Sequence, residues 1–450
     1  MTRRAVNGPS GADTDVIVVG SGIAGLGAAR HLAERGLDVV VLEKEREPGG
    51  RMRSVEAWDG LWVDLGAEIL PDDDQLGVLA STLGLDSGRL PYGPDDGSVT
   101  FDIERDGQCH RLNLTDPRSL FRFGAMSRMG RLRVATLIPA LVAQRVRNRG
   151  THYEAWRGAP VDRDSAEEWL SKRAPELLEY VMEPSWNLLC GWEPADVSRG
   201  ALLYFMTAYG DTTGSTFHGG VGALSRTLAA TLDVRTGHDV TSVDVDRACV
   251  TYCEDDGRST TLAARAVVVA VTGDRVSEMT AGLDPAREEF FRQVRYVPHS
   301  HAFFELLGRP VPGVPYVLYP RAEDTEVAAA GCVSAPTDPS VDVFRIGGKA
   351  AFDRRHAESS DDEIIDAYRA LAIERFPRID DLLGESVLCR WKSALPTFHV
   401  GYLRALAALH ELPPLPRAAF AGDYLAFSAT SGAYESGVRA ARQILEGLGT

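Results

Sequence analysis

The sequence predicts an α/β fold with a Rossmann-like nucleotide-binding domain, and three features near its beginning support this prediction. Four consecutive apolar residues at 16–19 indicate a strand that is buried on both faces. A glycine-rich turn follows, and a stretch with helical character comes after it. A second apolar run at 39–42 ends in Glu43, at about the 20-residue distance that such sites show. The turn consists of Gly20, Ser21, Gly22, Ile23, Ala24 and Gly25.

Each part of this turn has its own task in binding a dinucleotide. Gly20 allows the tight turn, Gly22 lets the backbone approach a pyrophosphate, and Gly25 lets the helix pack closely against the strand. The helix that follows directs free N–H groups and the positive end of its dipole toward the phosphates. Glu43 ends the second strand, where a carboxylate accepts hydrogen bonds from the ribose hydroxyls. We therefore predict a nucleotide cofactor.

Length and charge limit the class of protein further. With 450 residues the chain exceeds what one hydrophobic core usually holds, so we expect two domains. Its formal net charge of −16 argues against general binding of nucleic acids. The six cysteines lack the spacing of metal ligands, which favours reduced thiols in the cytoplasm and predicts no metal site.

Two observations concern membranes and export. The chain contains no run of about 18 apolar residues, so we expect no helix that spans a bilayer. Arg3 and Arg4 are typical of a twin-arginine export signal, but the next apolar run is the nucleotide-binding strand itself. Cleavage after that run would destroy the site. The sequence therefore favours a cytoplasmic protein.

Further motifs follow along the chain. Gly50 and Arg51 complete a Gly-Gly-Arg run, and a D-L-G-A-E run occupies 64–68. Near the C-terminus, Asp423 follows an apolar strand, and a helix-like stretch begins at about Ser431. Together with the first turn, these motifs resemble the FAD-dependent superfamily of flavin amine oxidases, protoporphyrinogen oxidases and phytoene or squalene desaturases. The resemblance extends from one end of the chain to the other.

The resemblance implies an FAD-binding domain of the glutathione-reductase type and an α+β substrate domain. Arg51 would pair with the pyrophosphate through its planar guanidinium, and Asp423 would accept a bond from a ribityl hydroxyl. The positive end of the C-terminal helix would face the flavin. Val240 matches the position whose backbone meets the adenine. The predicted cofactor residues are Gly20, Ser21, Gly22, Ile23, Ala24, Gly25, Glu43, Lys44, Gly50, Arg51, Gly66, Ala67, Glu68, Val240, Gly422, Asp423, Ser431 and Gly432.

One segment bears on the branch of the superfamily. Residues 391–404 resemble a conserved run of the protoporphyrinogen oxidases, although Phe398 and Tyr402 replace the tyrosine and the histidine of that pattern. Ala429 lies near the place where amine oxidases carry an aromatic residue, which argues against an aromatic cage for an amine. The resemblance thus favours a protoporphyrinogen-oxidase-like member.

The order of the motifs predicts a nucleotide domain that is discontinuous in sequence. Its parts are separated by a first, helical insertion and by a second insertion with strands and one helix. We expect the FAD-binding domain at 14–90, 215–290 and 410–450, the substrate domain at 91–214 and 291–409, and a flexible tail at 1–13.

The resemblance implies that the protein removes a hydride from a C–H bond of a small, largely apolar substrate, giving C=N or C=C. No second Gly-x-Gly-x-x-Gly follows a strand, so we expect no bound NAD(P). The electrons would then pass to O2, a quinone or a carrier protein. Two alternatives stay open: a flavin-dependent isomerase or cyclase without net redox change, and a non-catalytic FAD-binding protein.

Three residues are weak candidates for catalysis. Glu68 either reaches the edge of the flavin or pairs with Arg53 as a structural carboxylate, the interpretation we prefer. Lys392 resembles the lysine that some amine oxidases place beside the flavin, but its surrounding segment differs. His399 either accepts a proton at neutral pH or lies on the surface or a pocket rim, which the sequence favours.

A basic segment at 118–149 contains eight arginines and no acidic residue. One interpretation is a surface that docks on anionic lipid. The other, which the sequence favours, is a packed helix with a solvated basic face. The arginines are Arg118, Arg122, Arg128, Arg131, Arg133, Arg145, Arg147 and Arg149.

Overall fold

The computed structural model describes residues 12–450 apart from 59, 73–74, 93–99, 114–115, 117, 150–152, 209–213, 255–256, 308–313 and 336. Most of the predicted tail at 1–13 therefore lies outside the described residues. The chain forms two compact units. Unit 1 contains residues 12–53, Gly222–Arg295 and Ala405–Thr450, and unit 2 contains Ser54–Val221 and Tyr296–Arg404.

The described chain contains both strands and helices, as predicted for the α/β class, and the strands are numbered in chain order. They are β1 Thr14–Val19, β2 Val39–Leu42, β3 Ser54–Glu56, β4 Trp62–Asp64, β5 Leu70–Pro71, β6 Arg89–Pro91, β7 Thr100–Arg105, β8 Gln108–Asn113, β9 Gly214–Phe217, β10 Asp233–Arg235, β11 His238–Asp244, β12 Cys249–Glu254, β13 Ser259–Val269, β14 Thr280–Ala281, β15 Tyr296–Leu306, β16 Val317–Leu318, β17 Val327–Ala335, β18 Asp338–Gly348, β19 Leu383–Pro396 and β20 Ala418–Phe420.

The α-helices are numbered in the same way. They are α1 Ile23–Ala33, α2 Gln75–Thr82, α3 Ser119–Arg122, α4 Arg128–Val134, α5 Ile138–Arg147, α6 Ala166–Arg173, α7 Pro175–Leu177, α8 Glu183–Cys190, α9 Arg199–Ala208, α10 Gly222–Ala229, α11 Gly273–Met279, α12 Pro285–Gln293, α13 Ala350–Arg355, α14 Asp361–Arg375, α15 Tyr402–His410 and α16 Thr430–Leu448. Within the described residues, none of these helices is long and apolar enough to cross a membrane.

Unit 1 is built on an eight-stranded sheet. Its strand order is β10-β2-β1-β13-β12-β11-β14, and β20 pairs with β13. The strands β10, β2, β1, β13 and β20 run parallel. Residues Val16 to Val19 are almost completely buried, as expected for a parallel strand that is covered on both faces. The predicted Rossmann-like core is therefore confirmed.

Unit 2 is built on a seven-stranded sheet with the order β19-β15-β18-β17-β16-β7-β8. The helix α14 covers one side of this sheet, because Ile364 and Tyr368 belong to the same buried cluster as Phe304 and Phe344. The remaining helices of this unit lie mostly between β8 and β9 in sequence. This mixture of sheet and helices agrees with the predicted α+β character.

Residues 54–90 lie in unit 2, whereas the sequence led us to expect them in the nucleotide domain. Tertiary pairing explains the difference. The strands β5 and β6 both pair with β9, and the β3–β4 hairpin contributes Val63 to a buried cluster with Phe303 and Val343. Local sequence patterns do not show such long-range partners.

Candidate functional site

The glycine turn after β1 has the predicted geometry. Gly20 adopts a φ of +98°, and a Cβ added to it would lie 2.7 Å from the carbonyl oxygen of Ala270. A Cβ on Gly25 would lie 2.0 Å from the oxygen of Gly20. Both positions therefore require glycine for reasons internal to the fold.

Gly22 has a different explanation. A Cβ at this position would meet no heavy atom of the described chain within 4 Å, so packing within the protein does not demand glycine there. Gly50, with a φ of +55°, lies close by, because its Cβ would stand 3.3 Å from Gly22 Cα. The two glycines form a side-chain-free cradle, which suits close approach of a ligand to the backbone.

The helix α1 begins directly at this cradle, with Gly22 as its N-cap. Glycine has no side chain that could accept hydrogen bonds from the first turn, so the N-terminus of α1 lacks a side-chain cap. Ile23 and Ala24, which we predicted to contact the cofactor, contribute N–H groups to this helix end. Both residues are buried. Such an end is suited to bind a phosphate.

Glu43 lies at the end of β2 and is 6% exposed. Its Oε2 accepts hydrogen bonds from the backbone nitrogen (2.8 Å) and the hydroxyl (2.7 Å) of Ser21, and its Oε1 accepts one from the backbone nitrogen of Glu45 (2.9 Å). The carboxylate is thus held beside the glycine turn. Lys44 points outward with a side chain that is 55% exposed, and its Nζ lies 3.6 Å from Glu45 Oε1.

Arg51 and Asp423 were predicted separately as cofactor ligands, and unit 1 brings them together. The guanidinium donates two hydrogen bonds of 2.8 and 2.9 Å to the two carboxylate oxygens. Asp423 is buried, and its Oδ1 also accepts a bond from the backbone of Tyr424. Folding of unit 1 therefore brings Arg51, near the beginning of the chain, into contact with Asp423, near its end.

The helix α16 begins beside the same Asp423 turn. Ser436 in its second turn accepts a hydrogen bond of 2.8 Å from the nitrogen of Gly422. The N-cap residue, Ala429, provides no side-chain cap. A Cβ on Gly432 would lie 2.3 Å from the oxygen of Phe427, so the first turn of α16 has no room for a side chain at this position. Ser431, the preceding residue, is buried.

The geometry of unit 1 fits a dinucleotide. It offers a glycine cradle, two helix N-termini without side-chain caps and a buried carboxylate at the end of the second strand. Val240, also predicted to contact the cofactor, is 5% exposed and pairs with Tyr252 across β11 and β12. Among the described residues, no group of three or more histidine, cysteine, aspartate or glutamate side chains is arranged to hold a metal ion.

Glu68 lies in unit 2, and the partner of its carboxylate is Arg345. The guanidinium donates a hydrogen bond of 2.8 Å from Nη1 to Oε2 and a second from Nη2 to Oε1. The expected pairing with Arg53 is therefore wrong; Arg53 lies 3.9 Å from Glu45 Oε2. Residues 68 and 345 are brought together by the folding of unit 2, which the sequence does not reveal.

Aromatic and histidine side chains surround this ion pair and were missed in the sequence. The Tyr92 hydroxyl donates to Glu68 Oε2 (3.1 Å), and the Arg345 guanidinium lies 5.3 Å from the ring centre of Phe303. His301 Nε2 lies 3.7 Å from Glu68 Oε1. The sequence did contain one indication of this pair. Arg345 lies within an apolar stretch of β18, and a charged side chain in a buried strand needs a partner of opposite charge.

The two histidines of β15 are uncharged at neutral pH. Burial, together with the positive charge of Arg345, lowers the pKa of His299 to about 4 and holds the pKa of His301 well below its ordinary value. Burial raises the pKa of Tyr316 to about 12. Because Glu68 and Arg345 compensate each other, this cluster of unit 2 carries no net charge.

The predicted Gly66 and Ala67 lie in the loop after β4 and are partly buried. The loop is fixed by its neighbours, since the oxygen of Leu65 accepts hydrogen bonds from Trp391 Nε1 and Cys389 Sγ. A cofactor role for Gly66 and Ala67 stays a prediction.

The weak candidates Lys392 and His399 lie on β19 and in the segment that follows it. Lys392 is exposed on β19, on the opposite face from the inward-pointing Trp391. The Nδ1 atom of His399 lies 3.1 Å from the oxygen of Val400, and its ring packs edge-on against Tyr402. Both placements favour a surface position over catalysis.

Comparison with known proteins identifies the family. The family model described as flavin containing amine oxidoreductase matches residues 23–445. A zeta-carotene-forming phytoene desaturase of Myxococcus xanthus is 31% identical over 140 residues, which is 29% of this chain. The chain spans about a quarter of the length of this curated relative, because the match covers 27% of it.

Solved structures show the same fold. A cyclohexylamine oxidase from Brevibacterium oxydans superposes with a TM-score of 0.70 at 20% identity, covering 97% of this chain and 100% of that chain. A protoporphyrinogen-oxidase-like protein from Exiguobacterium gives 0.71 at 16% identity, covering 98% and 100%. The similar scores do not separate the two branches.

Gly22 gives a direct test of the cradle. We expect Gly22→Ala to lower the thermal unfolding temperature of the apoprotein only slightly, by the cost of alanine at a helix N-cap, because the added methyl meets no protein atom within 4 Å. The same methyl would lie in the path of the ligand, so flavin affinity should fall at least tenfold, about 1.4 kcal/mol. Fluorescence titration of the apoprotein with FAD measures this affinity.

Gly25→Ala is the matched control, since its methyl would lie 2.0 Å from a backbone oxygen and should destabilise the apoprotein itself. Flavin binding by Gly22→Ala with unchanged affinity would contradict the cradle.

The buried ion pair predicts a non-additive double-mutant cycle. Glu68→Gln leaves the Arg345 charge buried without its partner, which should lower the free energy of unfolding by about 3–5 kcal/mol. Adding Arg345→Met removes that stranded charge, so the double variant should lose less than the sum of the single variants. Urea unfolding of all four proteins measures the cycle.

Asp102→Asn serves as the control, because Asp102 pairs with Arg111, whose side chain is 74% exposed. Its effect should stay below about 1 kcal/mol. Additive losses for Glu68 and Arg345 would show that the pair is not coupled.

Proposed function

Because the chain belongs to the family of flavin-containing amine oxidoreductases, we propose that it is an FAD-dependent enzyme that oxidises a small, largely apolar substrate. It removes a hydride from a C–H bond and leaves C=N or C=C, while a proton is lost from the adjacent atom. The observation that carries the proposal is the convergence of Gly22, Glu43 and the Arg51–Asp423 pair in unit 1. Glu43, Arg51 and Asp423 lie within the matched family region, and Gly22 directly precedes its first residue.

The predicted contacts support FAD over a smaller flavin. By the family resemblance, Glu43 would bind the ribose and Val240 would contact the adenine, whereas Asp423 and α16 would lie at the flavin. A mononucleotide such as FMN lacks the adenosine that Glu43 and Val240 would contact. When bound, the flavin supplies the two-electron chemistry that side chains lack.

Other residues of the chain contribute binding and orientation. The Arg51 guanidinium pairs with Asp423 in the structure and would exchange this partner for a phosphate oxygen when the cofactor binds. The N-terminus of α16 would present its positive end to the flavin. The Glu68–Arg345 cluster has no net charge and neutral histidines, which suits an uncharged polar group on an otherwise apolar substrate. The buried Tyr316 hydroxyl has no hydrogen-bond partner among the described residues.

The relatives point to both types of product. A desaturase forms C=C, and an amine oxidase forms C=N, and the chain is similar to proteins of both names. We propose O2, a quinone or a carrier protein as the acceptor of the electrons, since the sequence holds no second dinucleotide motif.

The reaction is tested by anaerobic mixing of the flavin-loaded protein with a panel of amines and of reduced, apolar ring and chain compounds. We expect one class to bleach the flavin absorbance and to yield a product that is two hydrogen atoms lighter. Admission of air or of a quinone should then restore the absorbance and identify the acceptor.

A different result would contradict the proposal. Conversion of a substrate to a product of equal mass, with the flavin absorbance unchanged, would instead support the isomerase or cyclase alternative.

A further inference from the structure

The basic segment, residues 118–149, exposes apolar side chains of the kind that proteins usually bury. Nine large hydrophobic residues are exposed in the described chain, and six of them lie in this segment. Their exposed fractions range from 53 to 67%. Such clustering marks an interaction surface, whereas single exposed apolar residues are ordinary. The six are Phe121, Met129, Leu132, Ile138, Val142 and Val146.

The helix α5 exposes an apolar stripe to solvent. Ile138, Val142 and Val146 follow one another at four-residue intervals, so they form one stripe, and this stripe is exposed. The inward side is mixed: Leu137, just before the helix, and Gln144 are fully buried, and Asn148, just after the helix, donates a hydrogen bond of 3.0 Å to the Thr207 hydroxyl. These buried contacts fix the orientation of the helix and leave the apolar stripe on its outer side.

The shorter helix α4 is held in the same manner. Ser127 caps it by accepting a bond from Gly130, and donates a hydrogen bond of 2.6 Å to Glu176. These anchors leave Met129 and Leu132 exposed. The apolar surface is thus preorganised on two anchored helices.

Positive charge surrounds the apolar stripe. The basic segment carries eight arginines and no acidic residue, although the whole chain has a net charge of −16. Arg145 and Arg149 follow Val142 by three and seven positions, which places them on the exposed side of the helix or its continuation. Apolar residues flanked by arginines match the boundary between the acyl chains and the anionic headgroups of a bilayer.

We propose that the basic segment is a docking surface for an anionic lipid bilayer. The apolar stripe enters the headgroup–acyl boundary, and the arginines bind lipid phosphates. A second copy of the chain is a poorer occupant, because a symmetric contact would set eight arginines against eight. The solvated basic face that the sequence favoured does not account for the exposed stripe. This inference does not depend on the identity of the substrate.

The proposal is tested by co-sedimentation of the full-length, flavin-loaded protein with sucrose-loaded vesicles. Vesicles of phosphatidylcholine with 30% phosphatidylglycerol are compared with vesicles of phosphatidylcholine alone. We expect binding to the anionic vesicles that exceeds binding to neutral ones at least about fivefold, and that weakens as salt is raised to 1 M.

Two variants separate the contributions. Ile138→Gln/Val142→Gln/Val146→Gln should lower the partition coefficient at least about tenfold, because it removes the apolar stripe and keeps good helix formers. Arg145→Gln/Arg149→Gln should lower it about 25-fold on anionic vesicles, at about 1 kcal/mol for each arginine. Near-ultraviolet circular dichroism confirms that each variant is folded, and Met129→Gln/Leu132→Gln replaces the triple variant if that variant does not fold.

The chain supplies matched controls. Val78→Gln/Leu307→Gln/Val400→Gln alters the three exposed large hydrophobic residues outside the basic segment, and Arg247→Gln/Arg258→Gln alters two exposed arginines elsewhere. Both should bind vesicles like the unaltered protein.

Two results would overturn the proposal. One is sedimentation of the unaltered protein with anionic vesicles no greater than without vesicles. The other is equal loss of binding in the apolar variant and in its control. Dimerisation that depends on the stripe, in the absence of vesicle binding, would identify the surface as a contact between copies of the chain instead.

Discussion

Close backbone packing at two glycines is the constraint on which the geometry of unit 1 depends. A Cβ on Gly25 would stand 2.0 Å from the oxygen of Gly20, and a Cβ on Gly437 would stand 2.0 Å from the oxygen of Ala24. The first contact sets α1 against the turn after β1, and the second sets α16 against α1. The N-terminal part of each helix is therefore held at a fixed backbone position. This packing, together with the hydrogen bond from Gly422 to the Ser436 hydroxyl, positions the residues that are predicted to bind the cofactor.

The interior and the surface of unit 2 differ in how they carry charge. The buried Glu68 and Arg345 neutralise each other, and burial keeps His299 and His301 uncharged. At the surface of the same unit, the basic segment concentrates arginines around exposed apolar residues. A neutralised ion pair with uncharged histidines favours a largely apolar substrate, and a basic, apolar surface favours the phase in which such molecules dissolve. The two proposals thus agree with each other while resting on different residues.

Features encoded by neighbouring residues were predictable from the sequence, and features encoded by long-range contacts were not. The strand, turn and helix around Gly22, the acid Glu43 and the turn at Asp423 are local patterns that dictate local geometry. The partner of Glu68 lies 277 positions away, and residues 54–90 belong to unit 2 only because β5 and β6 pair with β9. Helical periodicity likewise shows that a stripe exists on α5, but does not show which way it faces.

The central claim is that the residues around Gly22, Glu43 and Asp423 hold one FAD for each chain. The most direct measurement is to saturate the purified protein with a mixture of FAD, FMN and NAD, remove unbound ligand, denature the protein, and identify and count what is released. The account predicts FAD alone, with about one molecule per chain. FMN lacks the adenosine half that would bind at the Glu43 end, and the chain belongs to a flavin-containing family. Release of FMN or NAD in place of FAD, or of no cofactor, would contradict it.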